Sequence, residues 1–352
     1  MLLSLLVLLG GIALVGTLLP LVPVRAWWVR AWDFPRVQLL VLALIALTGL
    51  LLHGPEDTWA RALIAALGVA AAFQAGFVWR YTPLAPREVQ SARRAEDGAT
   101  LSLLVTNVLQ TNRRADRVLA VARAADPDVA LFVETDGWWR ERLDVLAATH
   151  PYGLRCPLPN TYGMVLYSRL PLEEPRIEFL VEDDVPSMQA RVVLRSGARV
   201  WLNCVHPRPP APGERDESLE RDAELLLVGR RVAGARPVVV CGDLNDVAWS
   251  RTTRLFQKVS RLLDPRKGRG RYSTFHARWP FFRWPLDHIF FSDDFRLVRL
   301  RTLPYTGSDH FPVHAVLRHE PPASRQQNAP ELGREDESEA NEAIAEARDK
   351  HE

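Results

Sequence analysis

The sequence predicts an α/β domain preceded by three apolar helices, and three observations carry that reading. Three long apolar runs fill residues 2–24, 35–53 and 59–79. From residue 100 to residue 319, short β-rich runs alternate with amphipathic stretches. Several of those β-rich runs end in a carboxylate, an amide or an imidazole. Composition agrees. With 47% hydrophobic and 24% charged residues in 352, the chain is neither disordered nor collagen-like. Its three cysteines, Cys156, Cys204 and Cys241, are too few and too scattered for a disulfide scaffold or a structural zinc site. Cys204 and Cys241 lie inside apolar runs and read as buried thiols, which suits a reducing compartment.

The first and third apolar runs are long enough to cross a hydrocarbon core of ~30 Å as helices, which takes about 20 residues. The second has its apolar core at Val37–Leu52 and spans comfortably only when Phe34 or His53 joins it. Trp27, Trp28 and Trp32 lie between the first two, and indole rings favour the headgroup level. A cleaved signal peptide is the alternative for the first run. It lacks a basic start and a small-residue cleavage site, and two more apolar runs follow. Residues 1–82 therefore read as a membrane anchor with three spans. Arg25, Arg30 and Arg36 occupy the first loop, and Arg80, Arg87, Arg93 and Arg94 follow the third span, whereas the second loop carries Glu56 and Asp57. Positive-inside bias places the first loop and all that follows Arg80 in the cytoplasm. The expected location is the cell (inner) membrane, multi-pass, with the lipid bilayer as partner.

Residues 83–99 turn polar and proline-punctuated and read as a linker. Beyond them, 101–105, 129–133, 164–167, 191–194, 200–205, 238–241, 288–291 and 313–317 read as strands. Residues 115–125 and 217–232 carry apolar side chains at helical spacing. The whole stretch 100–319 reads as one mixed domain with a sizeable core. Residues 320–352 hold ten acidic and four basic residues and read as a flexible acidic tail. All but three of the 44 basic residues are arginine, a skew that codon bias explains as well as phosphate binding does.

The strand ends carry the chemistry. Leu-Leu-Val-Thr-Asn107, Val-Ala-Leu-Phe-Val-Glu134, Trp-Leu-Asn-Cys-Val-His206 and Val-Val-Val-Cys-Gly-Asp243-Leu-Asn245 each deliver a polar group from an apolar run. Asp287 precedes His-Ile-Phe-Phe, and Ser-Asp309-His310 precedes Phe-Pro-Val. An unpaired charge at a buried strand end costs several kcal/mol, so such endings need a purpose. Convergent, they form a cleft of hard oxygen ligands with two histidines, a set that suits Mg²⁺ rather than zinc. Singly, Glu134 or Asp287 reads as well as a helix cap or salt-bridge partner, His206 as a core histidine, and Asp243-x-Asn245 as an Asx-turn. Jointly and in this order those readings lose their force.

The order resembles that of the endonuclease/exonuclease/phosphatase superfamily, the deoxyribonuclease I-like fold. The resemblance runs from about Leu101 to Leu317. Asn107 matches the family's Asn at the end of the first strand, and Glu134 its metal-binding Glu. Gly163-Met-Val-Leu-Tyr-Ser168-Arg is similar to its Gly-x-x-x-x-Ser-Arg strand, Gly-Asp243-Leu-Asn245 to its Gly-Asp-x-Asn, Leu-Asp287-His-Ile-Phe to its Ile-Asp-Tyr-Ile-Phe, and Ser-Asp309-His310 to its Ser-Asp-His. The last of these with Gly-Asp-x-Asn makes a specific pair.

The resemblance implies a four-layer α/β sandwich and metal-assisted hydrolysis of a phosphate ester. It implies a Mg²⁺ site, with Mn²⁺ as a substitute, at Glu134, Asn107 and Asp309. Asp243 and Asn245 would bind or orient the attacking water, and His310, fixed by Asp287, would touch the scissile phosphate with His206 as a second donor. His at position 206 resembles the deoxyribonuclease I, sphingomyelinase and inositol-phosphate phosphatase branches, since the abasic-site endonucleases typically carry Asn there. Where those endonucleases have Tyr two places before the glycine, this chain has Thr161 with Tyr162 beside it. Asn160, Thr161 and Tyr162 are left as candidates for phosphate contact.

The substrate stays open between a lipid headgroup or small phosphodiester and a nucleic acid. Arg266, Lys267, Arg269 and Arg271 precede Tyr272, Phe275, Trp279, Phe281, Phe282 and Trp284. Arg269 and Arg271 are candidate phosphate contacts in either case. A nucleic-acid reader would use such a run for phosphates and stacking; a lipid enzyme would press the same rings into the bilayer interface; a solvated turn and core aromatics are the plain alternative. A membrane-tethered phosphate- or nucleic-acid-binding module that has lost catalysis is the alternative to an enzyme, and the intact strand-end residues weigh against it. No protein partner is predictable.

Overall fold

A computed structural model describes residues 1–54, 57–92 and 98–351. Glu56, Arg93 and Arg94, used above for the charge asymmetry, lie outside the described residues. The chain divides into two units. One comprises residues 1–86 with 210–218 and 267–270, the other residues 87–209, 219–266 and 271–352.

The first unit holds α1 (Leu2–Leu18), the short α2 (Trp27–Arg30), α3 (Arg36–His53) and α4 (Thr58–Trp79). Three helical stretches, Leu2–Leu21, Arg36–His53 and Thr58–Trp79, are long and apolar enough to cross a membrane. His53 does extend the second of them to 18 residues. Their contact is built from Leu6, Ala13, Ala43, Ala46, Leu50, Leu67 and Ala71. The four alanines among them let the helix backbones approach closely. Polar groups join all three helices: Arg36 donates to Asp33 (2.5 Å) and Gln74 (3.3 Å), and Gln74 donates to Thr17 (3.0 Å). Two chain segments remote in sequence belong to this unit. Trp27 N–H donates to the Asp216 carbonyl (2.8 Å), Ser218 N–H to that of Arg25 (3.0 Å), and Gly268 N–H to that of Arg80 (2.8 Å).

The second unit is two facing sheets with helices outside. Its elements run β1 (Thr100–Asn107), α5 (Ala115–Ala125), β2 (Val129–Val133), α6 (Gly137–Leu143), β3 (Tyr152–Cys156), β4 (Met164–Ser168), β5 (Leu172–Phe179), β6 (Pro186–Val193), β7 (Arg199–Val205), α7 (Leu219–Val232), β8 (Val238–Asp243), α8 (Arg251–Ser260), β9 (Asp287–Phe291), β10 (Phe295–Thr302), β11 (Val313–His319) and α9 (Arg334–His351). One sheet has the order β10-β11-β1-β2-β4-β3, the other β5-β6-β7-β8-β9. Each contains one parallel pair, β1 with β2 and β7 with β8, and is otherwise antiparallel.

Alternation along the strands sorts side chains between two faces. Leu101, Leu103, Val105, Leu131 and Val133 meet Val200, Leu202, Cys204, Val239 and Cys241 between the sheets. Leu104, Ala130 and Phe132 face Val118, Ala122 and Trp139 of α5 and α6, while Val238, Val240 and Phe290 face Leu225, Val228 and Phe256 of α7 and α8. This is the four-layer α/β sandwich that the resemblance implies. Cys204 and Cys241 are buried free thiols 3.8 Å apart across β7 and β8, as their apolar settings predict.

Two segments depart from expectation. Residues 87–92 are not free linker: Val89 enters the inter-sheet core, and Ala92 N–H donates to the Leu297 carbonyl (2.8 Å), covering the outer edge of β10. The acidic tail is not a loose chain either. Within α9, Ala340, Ala343, Ile344 and Ala347 recur at helical spacing and are buried, the first three against Leu226, Leu255 and Val259. Lys258–Asp336 (2.7 Å), Arg251–Glu339 (2.6 Å) and Lys350–Glu220 (2.8 Å) close the ends of that contact. A high acid content hid an apolar stripe made mostly of alanine.

Under the second sheet, α7 buries Glu224, whose carboxyl accepts from Ser187 Oγ (2.8 Å). Burial pushes its pKa up to about 8, against the Ser187 hydrogen bond. A carboxyl raised in the folded state binds its proton more tightly there than in the unfolded chain. Its contribution is present below the unfolded value and is lost as pH rises through the folded one. Glu224→Gln should therefore stabilise the protein at pH 8 by more than about 1 kcal/mol, the worth of a single pKa unit, and change little at pH 4.5. Thermal unfolding followed by circular dichroism at both pH values measures the difference; an equal effect at the two would refute it.

Candidate active site

The parallel pairs decide where the polar groups go. Side by side in one sheet, β1 and β2 end together at Asn107 and at Glu134, with Asn107 in register with Val133. In the other, β7 and β8 end at His206 and Asp243, with Val205 in register with Gly242. Gly242 has φ +146°, and a Cβ there would lie 1.8 Å from the Val205 carbonyl oxygen, so only glycine lets β8 run this close to β7. Gly163 meets a similar limit: a Cβ would lie 2.0 Å from the Thr135 carbonyl oxygen, just past Glu134. Glu134 itself has φ +60°, a left-handed conformation rare for a residue with a side chain and a mark of strain held by its surroundings.

Asp243 and Asp287 stand directly opposite each other across β8 and β9. Both are buried, and the imidazole of His310 lies between them, with Nδ1 2.8 Å from Asp287 Oδ2 and Nε2 3.5 Å from Asp243 Oδ2. Burial opposes the imidazolium, yet the two carboxylates outweigh it and push His310 up to about 10. Burial likewise raises Asp287, while for Asp243 the charge of His310, with hydrogen bonds from Asn107 and Asn245, outweighs burial and holds it below the ordinary range. Thus His310 is a cation at neutral pH. His206 is not: burial pushes it down to about 4, against the pull of Asp243. A cationic donor is therefore available at His310, whereas His206 offers a neutral ring. That ring packs on Tyr162 with centroids 5.6 Å apart.

Asn107 is a bridge. Its Nδ2 donates to Glu134 Oε1 (2.7 Å) and to Asp243 Oδ2 (3.0 Å), while its Oδ1 accepts from Leu109 N–H (2.9 Å). Glu134 Oε2 accepts from Gln110 N–H (3.2 Å). Even so, burial lifts Glu134 to about 7. Asn245 takes φ +51°, donates its N–H to Asp243 Oδ1 (3.0 Å) and its amide to the Pro207 carbonyl (2.9 Å), tying the two strand ends together. Asp309 is half-buried, and its carbonyl accepts from Ala277 N–H (2.6 Å).

The donor set fits a hard divalent cation. Asp243, Asp287 and His310 offer ligand atoms within 4.8 Å of one another, and Asp287 Oδ1 is buried without a hydrogen-bond partner. His310 already joins the two aspartates, so the charges of this trio are matched within it. Glu134, near Asp309 and held at about 7 for want of compensating charge, is the carboxylate that a cation would relieve.

The expected substrate contacts fare unevenly. Asn160 is not directed at the strand ends: its Nδ2 donates to Asp184 Oδ2 (3.2 Å) and its Oδ1 caps Tyr162 N–H (3.1 Å). Tyr162 is buried behind His206 and under the Arg208 guanidinium (4.4 Å). Arg269 falls in the first unit and Arg271 is exposed in the second. Sequence reasoning missed the brace behind β9. Arg266 pairs with Asp264 (2.8 Å) and donates to His288 Nδ1 (2.7 Å), while His288 Nε2 donates to the Asp246 carbonyl (2.9 Å). All four are buried. The signal was there in Asp264-x-Arg266, but a basic run following it drew attention outward.

Comparison with known proteins agrees with this geometry. Residues 103–310 match the model of the Endonuclease/Exonuclease/phosphatase family. No curated protein sequence matches the chain. Among solved structures, an endonuclease/exonuclease/phosphatase from Beutenbergia cavernae is similar at 18% identity and TM-score 0.51, over 63% of this chain and 72% of that one. D. rerio TDP2 complexed with a single-strand DNA product is similar at 17% identity and TM-score 0.52, over 62% and 99%. The human Nocturnin catalytic domain with bound sulfate is similar at 17% and 0.52, over 66% and 97%. These likenesses establish the fold.

The shared proton makes one outcome specific. Asp287→Asn removes the nearer of two negative charges from His310, so the ring should titrate more than one unit below its wild-type value of about 10. Histidine NMR titration reads this directly, and an unchanged His310 would refute the arrangement.

Proposed function

The chain belongs to the endonuclease/exonuclease/phosphatase family, whose members hydrolyse phosphoesters, and on that premise we propose that it is a membrane-anchored, Mg²⁺-dependent phosphoesterase attacking its substrate with water. The observation that carries the reading is the gathering of Asn107, Glu134, His206, Asp243, Asn245, Asp287, Asp309 and His310 at the ends of strands from both sheets. Retention of the whole set favours an enzyme over a module that has lost catalysis.

Glu134 and Asp309 would hold the cation, with Asn107 fixing Glu134 against Asp243. A divalent cation held by these residues would supply charge neutralisation at the phosphoryl oxygens and support water as a nucleophile. Asp243, with one oxygen tied to Asn245, orients the attacking water and accepts its proton. His310 enters as a cation, so its N–H stabilises charge growing on the phosphoryl oxygens, and Asp287 keeps the ring from turning. His206, neutral, contributes an N–H or a lone pair to the same group.

Three apolar helices and the arginines at Arg25, Arg30, Arg36, Arg80 and Arg87 support a multi-pass protein of the inner membrane with its catalytic domain in the cytoplasm. A cytoplasmic reporter fused to the C-terminus should be active and a periplasmic one silent; the reverse pattern would overturn the topology.

Hydrolysis of a generic aryl phosphodiester should vanish in EDTA and return with Mg²⁺ or Mn²⁺. Glu134→Gln, His206→Ala and His310→Ala should each slow turnover of the folded protein by about 10²–10⁴. Since burial holds Glu134 near 7 without metal, cation affinity should fall about tenfold per unit as pH drops below that value, with proton release visible in calorimetry. Full activity in excess chelator would sink the proposal.

A further inference from the structure

In the second unit, Phe275 and Trp284 pair as the base of a short antiparallel hairpin. His276 N–H donates to the Phe282 carbonyl (2.9 Å), Trp279 N–H to that of His276 (3.2 Å) and Phe282 N–H to that of Trp279 (3.1 Å). At its tip, Trp279 is 61% exposed, Phe281 81% and Phe282 54%. Phe282 touches the Trp284 ring (centroids 6.0 Å), yet all three rings at the tip stay more than half exposed. The other exposed large apolar residues described in this unit, Val145, Tyr152, Phe179 and Leu332, are scattered singly, as is normal for a surface.

We propose that this hairpin is a bilayer-contacting element that sets the substrate class as a phosphodiester at the lipid–water interface. The inference rests on the phosphoesterase reading and narrows it. Tryptophan and phenylalanine tipping a loop between arginines match what settles at a headgroup boundary. The tip also meets the demand of an apolar medium that backbone groups be satisfied locally: the Trp279 and Phe282 amides donate within the hairpin, and Pro280 has no N–H.

A nucleic-acid reader would need the cations beside the rings for phosphates, and the two that flank the tip are committed within the protein, which leaves the exposed Arg271. Arg278 donates to Tyr305 Oη (3.0 Å) and the Gly307 carbonyl (3.1 Å), Arg283 to the Ala277 carbonyl (3.0 Å), and Arg266 is buried against Asp264. At its base the hairpin is joined to the catalytic residues. The Phe275 ring lies 5.0 Å from that of His310, and Ala277 N–H holds the Asp309 carbonyl. Phe281 is five positions past His276, a reach of at most ~17 Å, so a tip seated among headgroups keeps the His310 end of the domain close to the bilayer surface.

The test uses the full chain reconstituted in phosphatidylcholine–phosphatidylglycerol vesicles. With Cys156→Ser removing the partly exposed thiol, Phe281→Cys carries an environment-sensitive fluorophore. The expected result is a blue-shifted emission quenched at least twofold by acyl-brominated lipid. Water-like emission without quenching would overturn the proposal, as would a label that responds to single-stranded oligonucleotide and not to lipid. In parallel, the triple variant Trp279→Ser, Phe281→Ser, Phe282→Ser should lose at least tenfold in hydrolysis of vesicle phospholipid and stay within twofold on a soluble aryl phosphodiester. Equal losses on both would also overturn it. A wild-type chain inert on both substrates would refute the phosphoesterase reading instead, and the quenching result would still decide the lipid contact.

Discussion

Two carboxylates facing each other inside a protein cannot both stay charged without a cation between them. Asp243 and Asp287 stand in that relation across β8 and β9, and His310 supplies the cation. Everything around them serves this balance. Removing the imidazolium would leave an uncompensated buried charge, a defect that typically costs 3–5 kcal/mol. The pairing register of β8 with β9 is therefore constrained by charge as well as by the core, because a slip of one residue would turn one carboxylate to the opposite face.

The fold earns its site through topology. A parallel pair brings two strand ends to the same edge, whereas an antiparallel pair sends them to opposite edges. Each sheet places one parallel pair among antiparallel neighbours, so each contributes two chemically armed ends, Asn107 and Glu134 from one and His206 and Asp243 from the other. Asn107 then crosses between the sheets by donating to both Glu134 and Asp243. Its two N–H groups make the halves one electrostatic unit. Strain follows where the turns are tight, at Glu134, Gly242 and Asn245, all of them within two residues of a strand end that carries a site residue.

Much of this was legible in sequence. The strands with fully buried faces, such as Val129–Val133 and Val238–Asp243, read as apolar runs because both sides are covered. Their terminal polar residues stood out against that background, and Asn107, Glu134, Asp243, Asp287 and His310, singled out on that ground, lie together in the structure. Edge strands were harder. In β5, Leu-Glu-Glu-Pro-Arg-Ile-Glu-Phe carries a proline and four charges, which is how an edge avoids unwanted pairing and also how it escapes notice. The helix α9 was hidden by its own chemistry, since alanine buries little surface and its acids dominate the composition. Asn160 and Tyr162 show the other limit: adjacency to a motif in sequence says nothing about direction, and one faces Asp184 while the other backs His206.

The two histidines show why residue type alone does not assign a role. Both are buried, and both sit at strand ends beside acids, yet His310 is held near 10 and His206 near 4. The difference lies in the partner's distance and number. His310 has a carboxylate on each nitrogen, at 2.8 and 3.5 Å, so attraction exceeds the penalty of leaving water. His206 has Asp243 at longer range, the positive His310 nearby and an aromatic ring against its face, so desolvation prevails. A pair of imidazoles driven apart in this way gives one protein both a fixed cation and a neutral ring at the same pH, without requiring either to titrate during turnover. That division is a consequence of gathering ligand atoms of Asp287, His310 and Asp243 within 4.8 Å of one another, while His206 has only the longer-range pull of Asp243.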